Sequence, residues 1–314
     1  MNKQPDFIQK DVLLAPLTTY RIGGRAQYLA KIDSLKQLAE AVHWAEANDL
    51  ALHFLGGGSN LLISDQGITG LVLTLTPQEP CFVGETVEVG SGYNLTKLVT
   101  DCVDKGLAGL EWAAGIPGQV GGAVRGNAGA FGGSLAESII EVIVYNIQTK
   151  QKEKIAVSDC RYGYRHSIFK EKAELLIWSV KLKLQAGERS VLQKTAEEHC
   201  AYRRQRHPCL PSAGCVFKNV SAAEVAKSAP VLWQEAQQAG AVGRDEVPAG
   251  FIIAQAGLAG YSIGAAQVSR QHANFLVNTG GATAKEMKQL IDYVQNEIKS
   301  RYKLELISEV MLWL

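Results

Sequence analysis

GIPGQVGGAVRGNAGAFGG, residues 115–133, holds eight glycines in nineteen positions, with Ile116, Val120, Val124 and Phe131 set among them. So many glycines fit neither a regular helix nor a strand, and the interspersed apolar residues argue against a plain linker. The segment reads as backbone that approaches another group closely or turns through positive φ. A second such place lies upstream, where the apolar run ALHFL (51–55) breaks at Gly56-Gly57-Gly58. This is not a Rossmann turn. The third glycine of G-x-G-x-x-G is missing, and the LLIS that follows is too short and too β-like for the helix that motif needs. There is no G-x-x-x-x-G-K-[ST] loop either. What remains is a turn rich in backbone N–H groups, with Ser59 and Asn60 as further hydrogen-bonding groups. Such a nest holds a diphosphate without a helix dipole, and the bland alternative is a plain tight turn. Taken together, the two glycine-rich stretches describe a cleft in which two backbones cradle an anionic cofactor.

Around these stretches, strand and helix signals alternate. Ser34 with Gln37 reads as a capping box ahead of Leu35, Leu38, Ala39, Val42 and Ala45 at helical spacing. LLIS, LVLTL and TVEV (86–89) read as strands, and Asn94 as the N-cap of a helix stopped at Gly106. Strands resume at 139–147 and 176–184, where Leu176, Trp178, Val180, Leu182 and Leu184 are expected on one face. A helical run then reaches YRRQRH, and a domain boundary is expected near 187–208. Thr283 with Glu286 makes a second capping box before Met287, Leu290, Ile291, Val294 and Ile298, and KLELISEVMLWL reads as a terminal strand.

Composition narrows the function classes. At 314 residues the chain allows about two domains, with 46% hydrophobic and 20% charged residues in the ordinary globular range. A formal charge of +1 provides no general field for nucleic acid or an anionic membrane. No apolar run approaches the ~18 residues of a bilayer span. The start, MNKQPDFIQKD, has no apolar signal region, so the expected address is the cytoplasm. Six scattered cysteines without a C-x-x-C pair read as reduced thiols. Cys209, Cys215 and His207 match none of the usual zinc spacings, and no metal is expected. H-E-x-x-H is absent, and no nucleophile elbow is expected. YRRQRH is either a solvated face or a clamp for a diphosphate-bearing substrate. By itself Arg165 reads as a structural ion-pair residue, and Glu309 as either an exposed strand residue or a carboxylate held in a site.

Seven stretches together resemble the UDP-N-acetylenolpyruvoylglucosamine reductase family. They are TTYRIGG (18–24), LGGGSNLLISDQG (55–67), AGIPGQVGGAVRGNAGAFG (114–132), YGYRHSIFK (162–170), PSAGCVFKN (211–219), AGLAGYSIGAAQVSRQHANFLVN (256–278) and LISEV (306–310). They run in the family's order over nearly the whole chain.

The resemblance implies an α+β fold: a bilobal FAD-binding unit of the vanillyl-alcohol-oxidase (PCMH) type, followed by an α/β substrate-binding domain. It implies lobes at 1–77 and 78–187, a helical connector at 188–208, a substrate-binding domain at 209–303, and a strand at 304–314 that carries Glu309 to the active site. Little room follows YGYRHS for the extra loop of longer members, which places the chain in the shorter, type II-like subtype. FAD would be non-covalent. Its contacts would be Gly56, Gly57, Gly58, Ser59 and Asn60, then Gly115, Ile116, Pro117, Gly118, Gly121, Gly122, Ala123, Asn127 and Gly129.

The family's reaction uses NADPH as reductant and UDP-N-acetylglucosamine enolpyruvate as substrate, with UDP-N-acetylmuramate for peptidoglycan as product. Cell-wall building, cell shape and cell division depend on that product. By resemblance Arg165 steadies the enolate-like charge, Glu309 assists polarisation or proton management, and Cys215 gives a proton to C2. Tyr164, Lys218, Asn219 and His272 match substrate-contact positions. The family usually has serine where Cys215 stands. A free thiol has a pKa of about 8.5 and is mostly protonated near neutrality, so the donor role is expected to survive. No nucleic-acid or membrane partner is expected, and the chain is expected to be a monomer or weak oligomer. The competing readings are a related flavin oxidase and a nucleotide-sugar binder without catalysis.

Overall fold

The structure, a computed structural model, describes residues 3–243 and 245–314. Two compact units divide the chain, and each is assembled from separate stretches of sequence. The first comprises residues up to Val12, Ala26–Gly57 and Thr69–Arg203; the second comprises Leu13–Arg25, Gly58–Ile68 and Arg204–Leu314. This differs from the boundaries expected from sequence. Two short pieces of the presumed first lobe, 13–25 and 58–68, cluster with the C-terminal residues, and most of the presumed connector clusters with the first unit.

The first unit holds two sheets. One orders Ile8–Leu13, Arg25–Ile32, Ile68–Leu75 and Leu52–Phe54, with the last pair parallel. Helix Leu35–Ala47 buries Leu38, Ala41, Val42, Trp44 and Ala45 in the same core as Leu71 and Leu73. Ser34 does cap it, accepting from the Gln37 N–H, but the Gln37 side chain accepts from Asp33 N–H rather than from Ser34, so the expected box is only half formed. The other sheet orders Gln151–Ala156, Ile139–Asn146, Leu175–Lys183, Thr86–Gly90 and Cys81–Val83, antiparallel throughout.

The strand Leu175–Lys183 corrects the expectation of one shared apolar face. Ile143 pairs with Ser179 and Val144 with Ile177, so Trp178 is an extra residue on its strand. A bulge of this kind reverses the inside–outside alternation. Leu176 and Trp178 therefore join the core around Leu71, whereas Val180, Leu182 and Leu184 join the core around Leu98 and Val120.

The 115–133 segment also differs from expectation, because it contains a helix, Val120–Gly126, and a minimal hairpin of Gly129–Ala130 with Gly133–Ser134. Helix propensity does not favour Gly121, but a side chain there would not fit: a Cβ would lie 2.7 Å from Ser91 Cβ. Tertiary closeness overrides the local cost of about 1 kcal/mol per helical glycine.

Helix Arg189–Arg206 buries only Leu192 and is held through its polar residues. Arg203 Nε donates to Ala114 O (2.9 Å) and Nη2 to Trp112 O (3.2 Å), while His199 Nδ1 lies 2.9 Å from Glu111 O. Phe131 of the hairpin stacks on His199 at 4.1 Å.

The second unit is built on an antiparallel sheet in the order Ser212–Cys215, Phe275–Asn278, Ala266–Val268 and Ser262–Ile263. Helix Ala284–Tyr302 carries the full Thr283/Glu286 capping box and buries Met287, Leu290, Ile291, Val294 and Ile298. Burial of one such side chain contributes ~1.5–3 kcal/mol, against about 1 kcal/mol for a cap, so packing decides where this helix lies. The C-terminus is not the long strand expected. Only Met311–Trp313 is regular, paired in parallel with Leu61–Ile63.

Candidate active site

In the first unit the two glycine-rich stretches meet. A Cβ on Gly57 would lie 2.7 Å from Gly118 Cα and 3.1 Å from Gln119 N, so the two backbones touch and only glycine fits. Val120 N–H donates to Tyr93 O (2.9 Å), Gly121 N–H to Ser91 O (2.8 Å) and Ala123 N–H to Gln119 O (3.1 Å). Gly122 stands apart from these. It is exposed, and a Cβ there would meet nothing within 4 Å. Gly115, Ile116 and Pro117 precede the helix; Gly115 and Pro117 are exposed, and Ile116 is half-buried against the core.

At the far end of the short helix, Asn127 takes a left-handed conformation (φ 45°) and joins two motifs. Its Nδ2 donates to Gly163 O (3.0 Å), and its Oδ1 accepts from Ala136 N–H (3.1 Å). Ser167 Oγ donates to Arg125 O (2.7 Å), and Arg125 Nε to Phe169 O (3.1 Å). Burial pulls the Arg125 guanidinium below the usual arginine range. YGYRHS is thereby fastened to the end of the glycine-rich helix. Gly163 and His166 exchange both backbone hydrogen bonds (3.1 and 3.2 Å), closing a two-residue turn of Tyr164 and Arg165. Arg165 has φ 52°, its guanidinium carbon lies 5.6 Å from the Tyr164 ring centroid, and its carbonyl accepts from Lys170 Nζ (2.9 Å).

The second unit brings Cys215 and Glu309 together. Cys215 ends its strand, exposed, after Gly214 at φ 79°. The next residue, Val216, accepts from Glu309 N–H at 2.7 Å, and Lys218 N–H donates to Ile307 O at 2.9 Å. Glu309 is half-buried, in extended chain outside any regular strand. Asn219 is engaged internally: Nδ2 donates to Glu246 Oε2 (3.1 Å) and Oδ1 accepts from Ala249 N–H (3.3 Å). His272 packs edge-on to His207 and Phe275, its Nδ1 3.3 Å from Asn274 N, and burial lowers its pKa. Gly58 is held by Thr19, whose N–H donates to Gly58 O (3.1 Å). Arg165, Tyr164, Gly56, Gly57 and the 115–129 residues belong to the first unit; Gly58, Ser59, Asn60, Cys215, Lys218, Asn219, His272 and Glu309 belong to the second.

One supporting residue escaped the sequence reading. Buried Asn274 accepts from Phe217 N–H through Oδ1 and donates to Phe217 O through Nδ2, both at 2.9 Å, while its own carbonyl accepts from Val216 N–H (2.8 Å). It fixes the backbone just after Cys215. Its only sequence signal is an asparagine interrupting the apolar run of HANFLVN. Among the described residues, no three His, Cys, Asp or Glu side chains gather as a metal site, and no helix is long and apolar enough to cross a membrane.

Residues 205–313 match the model described as UDP-N-acetylenolpyruvoylglucosamine reductase, C-terminal domain, and residues 26–146 match an FAD binding domain. The UDP-N-acetylenolpyruvoylglucosamine reductase of Synechococcus sp. (strain RCC307) is 39% identical over 97% of this chain and 93% of its own. That of Acaryochloris marina (strain MBIC 11017) is 37% identical over 97% and 92%. The chain belongs to the UDP-N-acetylenolpyruvoylglucosamine reductase family. The crystal structure of the Thermus caldophilus member is similar at a TM-score of 0.79 and 30% identity, covering 98% of this chain and 100% of that one. The fold class is accordingly the family's: an FAD-binding unit and a reductase C-terminal domain. FAD is the cofactor of this flavin-dependent oxidoreductase. The residues are compatible with it: the backbones of Gly57 and Gly118 touch with no room for a side chain, and at exposed Gly122 no side chain stands between the backbone and open space.

Proposed function

We propose that the chain reduces UDP-N-acetylglucosamine enolpyruvate to UDP-N-acetylmuramate for peptidoglycan, with NADPH as reductant, in the cytoplasm. Family membership supports the reaction class. The observation that carries the residue assignment is the hydrogen bond from Glu309 N–H to Val216 O (2.7 Å), which brings a carboxylate-bearing residue beside the residue following an exposed thiol. FAD, held by the glycine-rich backbone, would supply the hydride chemistry that links NADPH to C3 of the enolpyruvyl group. The remaining work falls to the protein. Negative charge gathers at C2 and the adjacent carboxylate, and Arg165 steadies it. The Cys215 thiol delivers its proton to C2, and solvent then reprotonates the thiolate. Glu309 assists polarisation and proton supply. Tyr164, Lys218, Asn219 and His272 are assigned to substrate contact. The FAD contacts are Gly56–Asn60, Gly115–Gly118, Gly121–Ala123, Asn127 and Gly129.

The test compares Cys215→Ser with Cys215→Ala in anaerobic single turnover, following reoxidation of the reduced flavin by the enolpyruvyl nucleotide. Loss of a proton donor costs on the order of 10²–10⁴-fold, so the Ala variant is expected to slow by that much while the Ser variant retains most of the rate. An Ala variant as fast as wild type removes Cys215 from the role. A preparation that binds no flavin and cannot be reconstituted with FAD would overturn the enzyme reading itself.

A further inference from the structure

Parallel pairing of Leu61–Ile63 with Met311–Trp313 ends at Leu61 and Met311, yet two further bonds continue it. Met311 N–H donates to Asn60 O (3.1 Å), and the Asn60 side chain reaches past Val310, its Nδ2 donating to Glu309 O at 3.0 Å. On its other side Glu309 N–H is held by Val216 O (2.7 Å). The main chain of Glu309 is therefore clamped at both its polar groups, once by the strand end next to Cys215 and once by a side chain from the glycine loop. Asn60 is itself held. The Leu61–Ile63 ladder follows it directly, and Ser64 N–H donates to Trp313 O at 2.6 Å. A carboxamide within one residue of a ladder end acts as a rigid rung, because a single short side chain costs little ordering entropy.

From this geometry we infer that Asn60 is a positioning residue for Glu309, so that the glycine loop assigned to the cofactor also sets the carboxylate that serves the proton step. The inference rests on the role proposed for Glu309. Asn60 acts through the Glu309 backbone: removing the rung takes away the bond that ties the Glu309 carbonyl to the glycine loop and loosens the residue's position beside Val216.

The experiment is a double-mutant cycle on the flavin-loaded full chain, with Asn60→Ala, Glu309→Gln and their combination. Reoxidation of reduced flavin by the enolpyruvyl nucleotide is measured per bound flavin across pH, with the melting temperature of each variant. Asn60→Ala is expected to slow that step about tenfold in the wild-type background, and by less than about twofold where Glu309 is already Gln. It should also displace the limb of the pH profile that Glu309→Gln abolishes, which a loss of general stability would not do. Asn60→Asp keeps the shape without the donor and gives the same pattern if the alanine variant folds poorly. Equal slowing in both backgrounds, or an undisplaced pH limb, overturns the inference. If Glu309→Gln alone leaves the step unchanged, the role proposed for Glu309 fails and the inference falls with it, an outcome distinct from equal slowing.

Discussion

Gly122 and His272 illustrate how differently single residues declare themselves. Gly122 was legible as one glycine of a segment whose backbone must approach another group closely, although the helix that holds it was not. The space around it was not legible, because it depends on what other elements leave empty. The open space supports a sharp expectation. Gly122→Ala should leave the apoprotein as stable as wild type or more so, by up to about 1 kcal/mol from helix propensity, while weakening FAD binding. Denaturant melts of the apoprotein and flavin fluorescence titration check both halves. His272 was assigned from motif position alone, and its burial against His207 and Phe275 appears only in the fold. That burial lowers its pKa below the ordinary 6.5, so the folded state binds fewer protons than the unfolded state in the acid range. Its contribution to stability is present above pH 6.5 and lost as pH falls through the lowered value. His272→Gln should therefore show a smaller fall in melting temperature between neutral and mildly acid pH than wild type, measured side by side.

At the scale of elements, periodicity was reliable where one face of a helix is buried. Met287, Leu290, Ile291, Val294 and Ile298 all lie in the core as their spacing requires. It failed in the strand Leu175–Lys183, where one extra residue at Trp178 exchanges the faces. A bulge leaves no mark in an apolar run whose two faces are both buried. It failed again in 115–133, where glycine content concealed a helix whose stability comes from close approach to Ser91. Capping was legible locally, but its strongest partner was not. Asp65, distant in sequence, accepts from Ala284 N–H (2.7 Å) and Lys285 N–H (3.1 Å) at the start of the C-terminal helix. A charged residue satisfying two orphan donors outweighs a neutral cap. Thr283→Ala should cost about 1 kcal/mol and Asp65→Ala about 1–2 kcal/mol, with urea melts giving the order.

For the molecule as a whole, the family's motifs disclosed the reductase fold, yet the division of the chain was visible only in three dimensions. It passes from one compact unit to the other after Val12, Arg25, Gly57, Ile68 and Arg203. The C-terminal region begins as a matched domain at residue 205, but the unit around it also needs Tyr20, Leu62 and Asp65 from the N-terminal region. Tyr20 is fully buried there, and its carbonyl accepts from Asn278 Nδ2 at 3.0 Å. A fragment of residues 204–314 is therefore expected not to fold cooperatively. Near-UV circular dichroism and the dispersion of its proton NMR spectrum check this, and a sharp cooperative melt of the isolated fragment would contradict it.

By itself the sequence determined the helices with one buried face, the glycine positions, the order of the motifs and, through them, the family. These are local or linear properties, written in spacing and residue type. Tertiary structure alone decided that Trp178 inverts a strand, that Gly57 touches Gly118 while Gly122 faces open space, and that Asn60 and Asp65 serve the C-terminal unit. Each depends on groups brought together from far along the chain. Close approach and side-chain hydrogen bonding act through space, and the linear order of residues carries no record of which distant backbone will arrive.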